Sequence, residues 1–346
     1  MNAALRVLSP GLVTTLQDLG RPGYARLGIP GGGALDPVAL RAANALAGNP
    51  QDAGALEVTY AGPALAIDAQ SARLAFAGAD AAIEILSGMD ATCGRTVETM
   101  RSVRVQRGQI VRIGPLIRSA LLYIAVEGGF EVEPVLGSAS TYLRGGFGGW
   151  QGRALVAGDR LPLRLDSVRE HEEQRLEGLD LAVPTRLRVI DGPQIDYFSS
   201  EEIAAFFSSE YTVCAADRMG MRLHGRALRH SRSFDIASDG TAPGSIQISG
   251  SGQPIVLLAD RQTTGGSPKI ATVVSADLPA LGRIPIGCKI GFERVTIETA
   301  EVLRRALFAE IDGISSGIVG LGAGIAERAT DLLRCNLISG VVDACI

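Results

Sequence analysis

The chain has 346 residues, of which 46% are hydrophobic and 20% charged, with 43 glycines and a formal net charge of −4. That is a folded, turn-rich composition, and the length exceeds the ~150 residues of a typical domain. The acidic balance and the few aromatics argue against a nucleic-acid partner. No run approaches the ~18 apolar residues of a membrane span, and no charged-then-apolar leader is visible, so a cytoplasmic location is expected.

Short alternating or apolar runs bounded by Gly, Pro and Asp recur along the chain: "SARLAFAGA", "VRVQRGQIVRIG", "ALLYIAVEGG", "GSIQISG", "PIVLLA" and "KIGFERVTI". This spacing predicts an antiparallel β architecture, sandwich or barrel, rather than alternating βα units. Helices are few. Asp36 before Pro37 is a good N-cap for "PVALRAANALA", which Gly48-Asn49-Pro50 stops. A second helix is predicted over "EEIAAFF", with Ser199 and Glu202 spaced as a capping box. A third begins near Ala300, and a last one covers "IAERATDLLRCNL".

The two halves echo one another in order. "RVLSPG" at Arg6 matches "RVIDGP" at Arg188, "DLGRPGYARLG" from Asp18 matches "DRMGMRLHG" from Asp217, and "VQRGQIVRI" around Gly108 matches "IPIGCKIGF" around Gly287. The expected organisation is a first β subdomain over residues 1–165, a charged solvated linker at 166–185 and a second β subdomain at 186–300. A helical tail follows at 301–346.

Catalytic shorthand is sparse. Gly313-Ile314-Ser315-Ser316-Gly317 fits G-x-S-x-G, but a helix rather than a strand precedes it, and His171, His224 and His230 all come earlier in the chain, which excludes the hydrolase order. Gly320, Gly322 and Gly324 miss the dinucleotide spacing, and neither H-E-x-x-H nor a His/Cys cluster indicates a metal site. Cys93, Cys214, Cys288, Cys335 and Cys345 are scattered without C-x-x-C spacing and read as reduced thiols.

What stands out is "DRQTTGGSPK", residues 260–269, between the apolar runs "PIVLLA" and "IATVV". Paired glycines let backbone N–H groups approach a ligand, and hydroxyls, an amide and a cation surround them. Such a loop suits a planar amide or a carboxylate and the stabilisation of developing negative charge. It also reads as a plain structural turn.

The blocks "GLVTTLQDLGRPGYARLGIPGGGALDPVALRAANALAGNP", "ALEVTYAGPAL", "VLGSASTYLRGGFGGWQGRALVAGD", "ADRMGMRLHG" and "GSIQISGSGQPIVLLADRQTTGGSPKIATVVSADLP" resemble the allophanate hydrolase subunit 2 family, also called the urea amidolyase-related or biotin-dependent carboxyltransferase family. The resemblance implies a mainly β fold of two cyclophilin-like β-barrel subdomains, here related by internal duplication, with a C-terminal helical tail. It implies one of three roles. The first is the C-type component of an ATP-dependent 5-oxoprolinase, opening 5-oxoproline to glutamate with an A-type partner and a B-type partner of the allophanate hydrolase subunit 1 family. The second is a carboxyltransferase component of a urea carboxylase-like system, with carboxybiotin supplied by a partner. The third is a non-catalytic regulatory partner of a kinase-inhibitor protein. No lysine lies in an A-M-K-M context, so no covalent biotin is expected on this chain.

The resemblance places Gln262, Thr263, Thr264, Gly265, Gly266 and Lys269 in the substrate cleft. Lys269 is the expected oxyanion-stabilising cation. Ser267 replaces a more usual aromatic residue, and Arg283 stands where the family has glutamine. Asp277 is read as a catalytic base or as a cap of the "LPAL" turn. Asn44 and Arg218 are candidate substrate contacts, and Asp18–Arg21 and Asp217–Arg218 are candidate structural pairs.

Overall fold

The computed structural model describes residues 3–87 and 93–321. The first body contains strands β1 (Ala4–Ser9), β2 (Val13–Gln17), β3 (Ala55–Thr59), β4 (Ala64–Ile67), β5 (Ser71–Ser87), β6 (Cys93–Val97), β7 (Arg101–Gln106), β8 (Ile110–Val126), β9 (Arg160–Pro162) and β10 (Gln174–Leu176), with helix α1 (Pro37–Leu46). The second contains β11 (Arg186–Asp191), α2 (Ser200–Ser208), β12 (Tyr211–Ala216), β13 (Gly220–His224), β14 (Asp239–Gly240), β15 (Ser245–Ile248), β16 (Pro254–Leu257), β17 (Thr264–Gly265), β18 (Lys269–Val273), α3 (Leu278–Arg283) and β19 (Lys289–Arg294). Helix α4 (Ile297–Gly313) and β20 (Ile318–Gly320) then return to the first body, where β20 pairs with β10. The architecture is mainly β with four helices among the described residues, as the turn spacing predicted.

The first body is an eleven-stranded sheet among the described residues, built around the long pair β5–β8. The C-terminal half of β8 is buried on both faces, and its sequence "ALLYIAV" is correspondingly continuous rather than alternating. Leu122, Ile124 and Val126 face one core. Leu121, Tyr123 and Ala125 face α1, whose small Ala39, Ala42 and Ala43 let it lie close against the sheet. Asp36 caps α1 as expected: its Oδ1 accepts from the N–H groups of Val38 and Ala39 at 3.0 and 3.1 Å.

The second body closes as a seven-stranded barrel in the order β11-β18-β15-β16-β13-β12-β19, and a parallel β11–β19 pairing completes the ring. Ile246, Ile248, Val256, Val189 and Val213 fill it, and Phe206 of α2 stacks on Phe292 at 4.7 Å between ring centroids. Two of the three matched sequence pairs occupy comparable places. Arg6 and Arg188 lie in the first strand of each body, and Gly108 and Gly287 both take positive φ just before a strand.

Three expectations change. The capping box of α2 is half formed: Ser199 Oγ accepts from the Glu202 N–H at 3.3 Å, while the Glu202 carboxylate accepts from the Arg229 N–H. Helix α4 begins at Ile297 rather than Ala300, because Thr296 caps it by accepting from the Thr299 N–H. The segment expected as a solvated linker supplies β10, and one of its acids is held in place. Glu173 pairs with Arg95 and Arg101, and Arg73 donates to the carbonyls of Arg169 and His171. The last predicted helix and most of the Gly320–Gly324 run lie outside the described residues.

Candidate functional site

The loop at 260–269 lies against the outer wall of the barrel. In the β15–β18 ladder Gln247 is paired with Lys269. Ile246, Ile248 and Ile270 belong to the barrel core, so the two-residue period of a strand turns Gln247 and Lys269 outward together. They are nevertheless buried, Lys269 to 1% exposure and Gln247 to 5%. Strand β14 pairs with β17 across Asp239–Gly265 and Gly240–Thr264 and so roofs the twin glycines. From that roof the half-exposed Asp239 reaches the Lys269 Nζ at 3.2 Å, the ammonium's single partner among the described residues. The hydrogen bond from Lys269, with one from the Gly240 N–H, holds the Asp239 carboxyl below its ordinary range.

Gln262 Nε2 donates to Gln247 Oε1 at 3.1 Å, and Gln247 Nε2 is a buried donor with no acceptor among the described residues. A Cβ on Gly265 would stand 2.6 Å from that nitrogen, so the glycine is what makes room for the amide. The Thr263 carbonyl accepts from the Thr241 N–H, Thr264 is exposed, and the Gly266 carbonyl accepts from the Ile236 N–H. The structure therefore brings Gln262, Thr263, Thr264, Gly265, Gly266 and Lys269 together and adds Gln247 and Asp239. A buried ammonium beside an unused amide donor has the polarity to hold a carbonyl or carboxylate oxygen.

The other candidates are placed elsewhere. Asn44, fully buried on α1, donates to the Ala53 carbonyl at 2.7 Å and accepts from Asn49, both within the first body. Asp277 makes no cap bond. Its two oxygens close on the Arg188 Nε at 3.2 and 3.1 Å and accept the Arg188 backbone N–H, and this pairing holds Arg188 above the ordinary guanidinium range. Asp18 and Arg21 do not pair. Asp18 accepts from Gly20, Ser138, Ala139 and Ser140, and Arg21 donates to the carbonyls of Val135 and Ser140. Asp217 caps its own turn through the N–H groups of Met219 and Gly220, which leaves Arg218 to other partners.

Arg218 is the centre of a buried seam between the two bodies. It bonds Asp260 at 2.8 and 3.0 Å, donates to the Gly33 carbonyl at 2.6 Å and pairs with Glu57 across the interface. Glu57 also accepts from the Tyr123 hydroxyl at 2.6 Å, and that hydroxyl accepts from the Asp36 N–H at 2.9 Å. Asp36 in turn receives Arg283 Nε at 2.5 Å. Burial lowers the proton affinity of Arg218, but Glu57 and Asp260 more than offset this and raise it. Burial, then Glu57 and Asp36, push the Tyr123 hydroxyl well above the ordinary tyrosine range, so it stays a donor.

Two cavities lie along this seam. One, of about 180 Å³, is lined by Tyr60, Leu121 and Leu143 from the first body and by Arg218, Met221 and Ile284 from the second. The other, of about 400 Å³, lies between the glycine-rich loop after Leu19 and the barrel, and Arg261 lines it.

A β-sheet body is thus clamped to a seven-stranded barrel through buried ion pairs, with a lysine under a glycine-rich loop. Residues 27–294 match the family model for the carboxyltransferase domain, subdomain A and B, and the chain belongs to that family. It is 36% identical over 298 residues to the C component of the 5-oxoprolinase of Escherichia coli K12, covering 86% of this chain and 93% of the relative. It is 30% identical to the urea amidolyase of Saccharomyces cerevisiae over 88% of this chain but 17% of that protein. The crystal structure of the K. lactis urea amidolyase is similar over 90% of this chain, with a TM-score of 0.79 and 28% identity, and the chain spans 20% of that longer molecule. These relatives are parts of hydrolase and amidolyase systems. Among the described residues no helix is long and apolar enough to cross a membrane.

Proposed function

We propose that this chain is the C-type component of an ATP-dependent 5-oxoprolinase, opening the lactam of 5-oxoproline to glutamate together with A-type and B-type partners. One observation carries the choice: the chain is 36% identical to the 5-oxoprolinase component of Escherichia coli over 298 residues, against 30% to the urea amidolyase of Saccharomyces cerevisiae over 332 residues. Ring opening adds one water across the C–N bond of the lactam, and ATP, consumed by the complex, supplies the driving force. In this reading the lactam oxygen takes the place of the Asp239 carboxylate beside Lys269, with Gln247 Nε2 as second donor. Both groups are aimed where negative charge develops on the carbonyl oxygen. Gln262, Thr263, Thr264, Gly265 and Gly266 shape the pocket around it.

The test is reconstitution with A-type and B-type partners and assay of glutamate release from 5-oxoproline with ATP. Lys269→Met, assembled normally, should lower turnover by roughly 10²–10³-fold, the usual loss for one oxyanion donor. Full turnover in that variant removes the role of Lys269. A carboxyltransferase reading is supported by the urea amidolyase likeness. Carboxylation of urea by the chain with a biotin carboxylase and biotin carrier, in place of glutamate release, would establish it.

A further inference from the structure

Arg261 is the second residue of the 260–269 loop, yet it lines the larger of the two seam cavities. It is 9% exposed. Its Nε and Nη2 donate to one carbonyl, that of Thr241, at 3.3 Å each, and its Nη1 makes no hydrogen bond among the described residues. No carboxylate of the described residues forms an ion pair with it, in contrast to the buried arginines Arg218 and Arg283. Desolvation by burial lowers its proton affinity. A buried guanidinium is costly unless something pairs with it. Among the described residues the fold supplies a guanidinium with no ion-pair partner and an adjoining space of about 400 Å³. The rest of the wall is apolar or bare backbone: Leu19, Ala34, Leu257 and Leu281, with Gly31 and Pro243. That volume is in the range of small-molecule sites.

We propose that this cavity is a carboxylate subsite, in which the free Nη1 edge of Arg261 binds a compact acid with an apolar body. The identity of the acid rests on the functional reading above: 5-oxoproline carries a carboxylate on a small ring, whereas urea is neutral and leaves the guanidinium unpaired. Thr241 joins this subsite to the loop site. Its carbonyl accepts from Arg261, its N–H donates to the Thr263 carbonyl, and its hydroxyl donates to the Gln262 carbonyl. Arg261 is thus a specificity residue for the charged end of the substrate, separate from the donors at Lys269 and Gln247.

The experiment titrates the full chain calorimetrically with three probes: cyclopentanecarboxylate, which lacks the lactam; 2-pyrrolidinone, which lacks the carboxylate; and 5-oxoproline. Both acids should bind the wild type. Arg261→Met should weaken both acids roughly ten- to a hundredfold, the loss of one charged hydrogen-bonding group, and leave 2-pyrrolidinone unchanged. Arg261→Lys should retain part of the affinity. Because the replaced charge has no ion-pair partner among the described residues and only two long hydrogen bonds to one carbonyl, Arg261→Met should melt at or above the wild-type temperature. Equal acid affinity in wild type and Arg261→Met, no acid binding to wild type at millimolar concentration, or a methionine variant that melts well below wild type, making Arg261 a structural clamp on Thr241, would each overturn the subsite. Arginine-dependent acid binding without glutamate release by the reconstituted complex would sink the oxoprolinase reading and leave the subsite standing.

Discussion

Arg218→Met tests whether the seam holds the two bodies together. The substitution keeps most of the side-chain volume and removes the guanidinium from between Glu57 and Asp260, which are 1% and 3% exposed. Breaking a buried ion pair by deleting one partner costs about 3–5 kcal/mol, because the remaining charge has no solvent to return to. Here two carboxylates are stranded, and the Gly33 carbonyl also loses a donor. A loss of about 3–5 kcal/mol is a large share of the ~5–15 kcal/mol by which domains are usually stable. Urea unfolding followed by Trp150, the sole tryptophan, which packs against the first core, reports on that body, while far-ultraviolet circular dichroism reports on both. The expected result is a large drop in midpoint, with partial recovery in Arg218→Met/Glu57→Gln, where one stranded charge is also removed. If Arg218→Met unfolds at the wild-type urea concentration while ligand affinity falls, the seam argument fails and Arg218 is a substrate contact.

Gly265→Ala should cost little stability, about 1 kcal/mol, since only the end of the Gln247 side chain must move. It should lower turnover of the assembled complex, and unchanged kinetics would show that the Gln247 amide is not used. Asp277→Asn should cost about 1 kcal/mol in urea unfolding, a modest value because its partner Arg188 is 36% exposed. Turnover should persist, and activity lost without destabilisation would restore Asp277 as a base. The Arg153 hydrogen bonds at 2.7 and 2.8 Å, aided by the Val156 N–H, hold the Asp159 carboxyl below its ordinary 3.8. Its stabilising contribution is therefore complete above that pH and is lost as pH falls through the lower folded value. Melting temperature measured between neutral pH and pH 2 should decline less steeply at the acid end in Asp159→Asn, and an identical profile would contradict the assignment.

The features legible in the chain were those decided by near neighbours. Asp36-Pro37 and Ser199 start their helices through atoms two or three residues away. The Gly265-Gly266 loop was visible because paired glycines announce close backbone approach. The seam was not legible, because Glu57, Arg218 and Asp260 are distant along the chain and meet only when the two bodies dock. The one local sign was Glu57 itself, a carboxylate inside the otherwise apolar strand "ALEVT". Gln247 escaped notice for a related reason: its partnership with Lys269 depends on barrel register, including the irregularity between Ile246 and Gln247. The 166–180 segment reads as solvated by composition, yet Arg95 on β6 and Arg101 on β7 capture its Glu173.

The acids Asp36 and Glu57 come from the first body, and the bases Arg218 and Arg283 that answer them come from the second. Splitting the polypeptide at residue 185 would strand unanswered charge on both fragments. Each fragment would be soluble and native only when co-expressed with the other. Whatever ancestry the two halves share, they have become obligate complements, and neither can be transplanted as a free-standing unit.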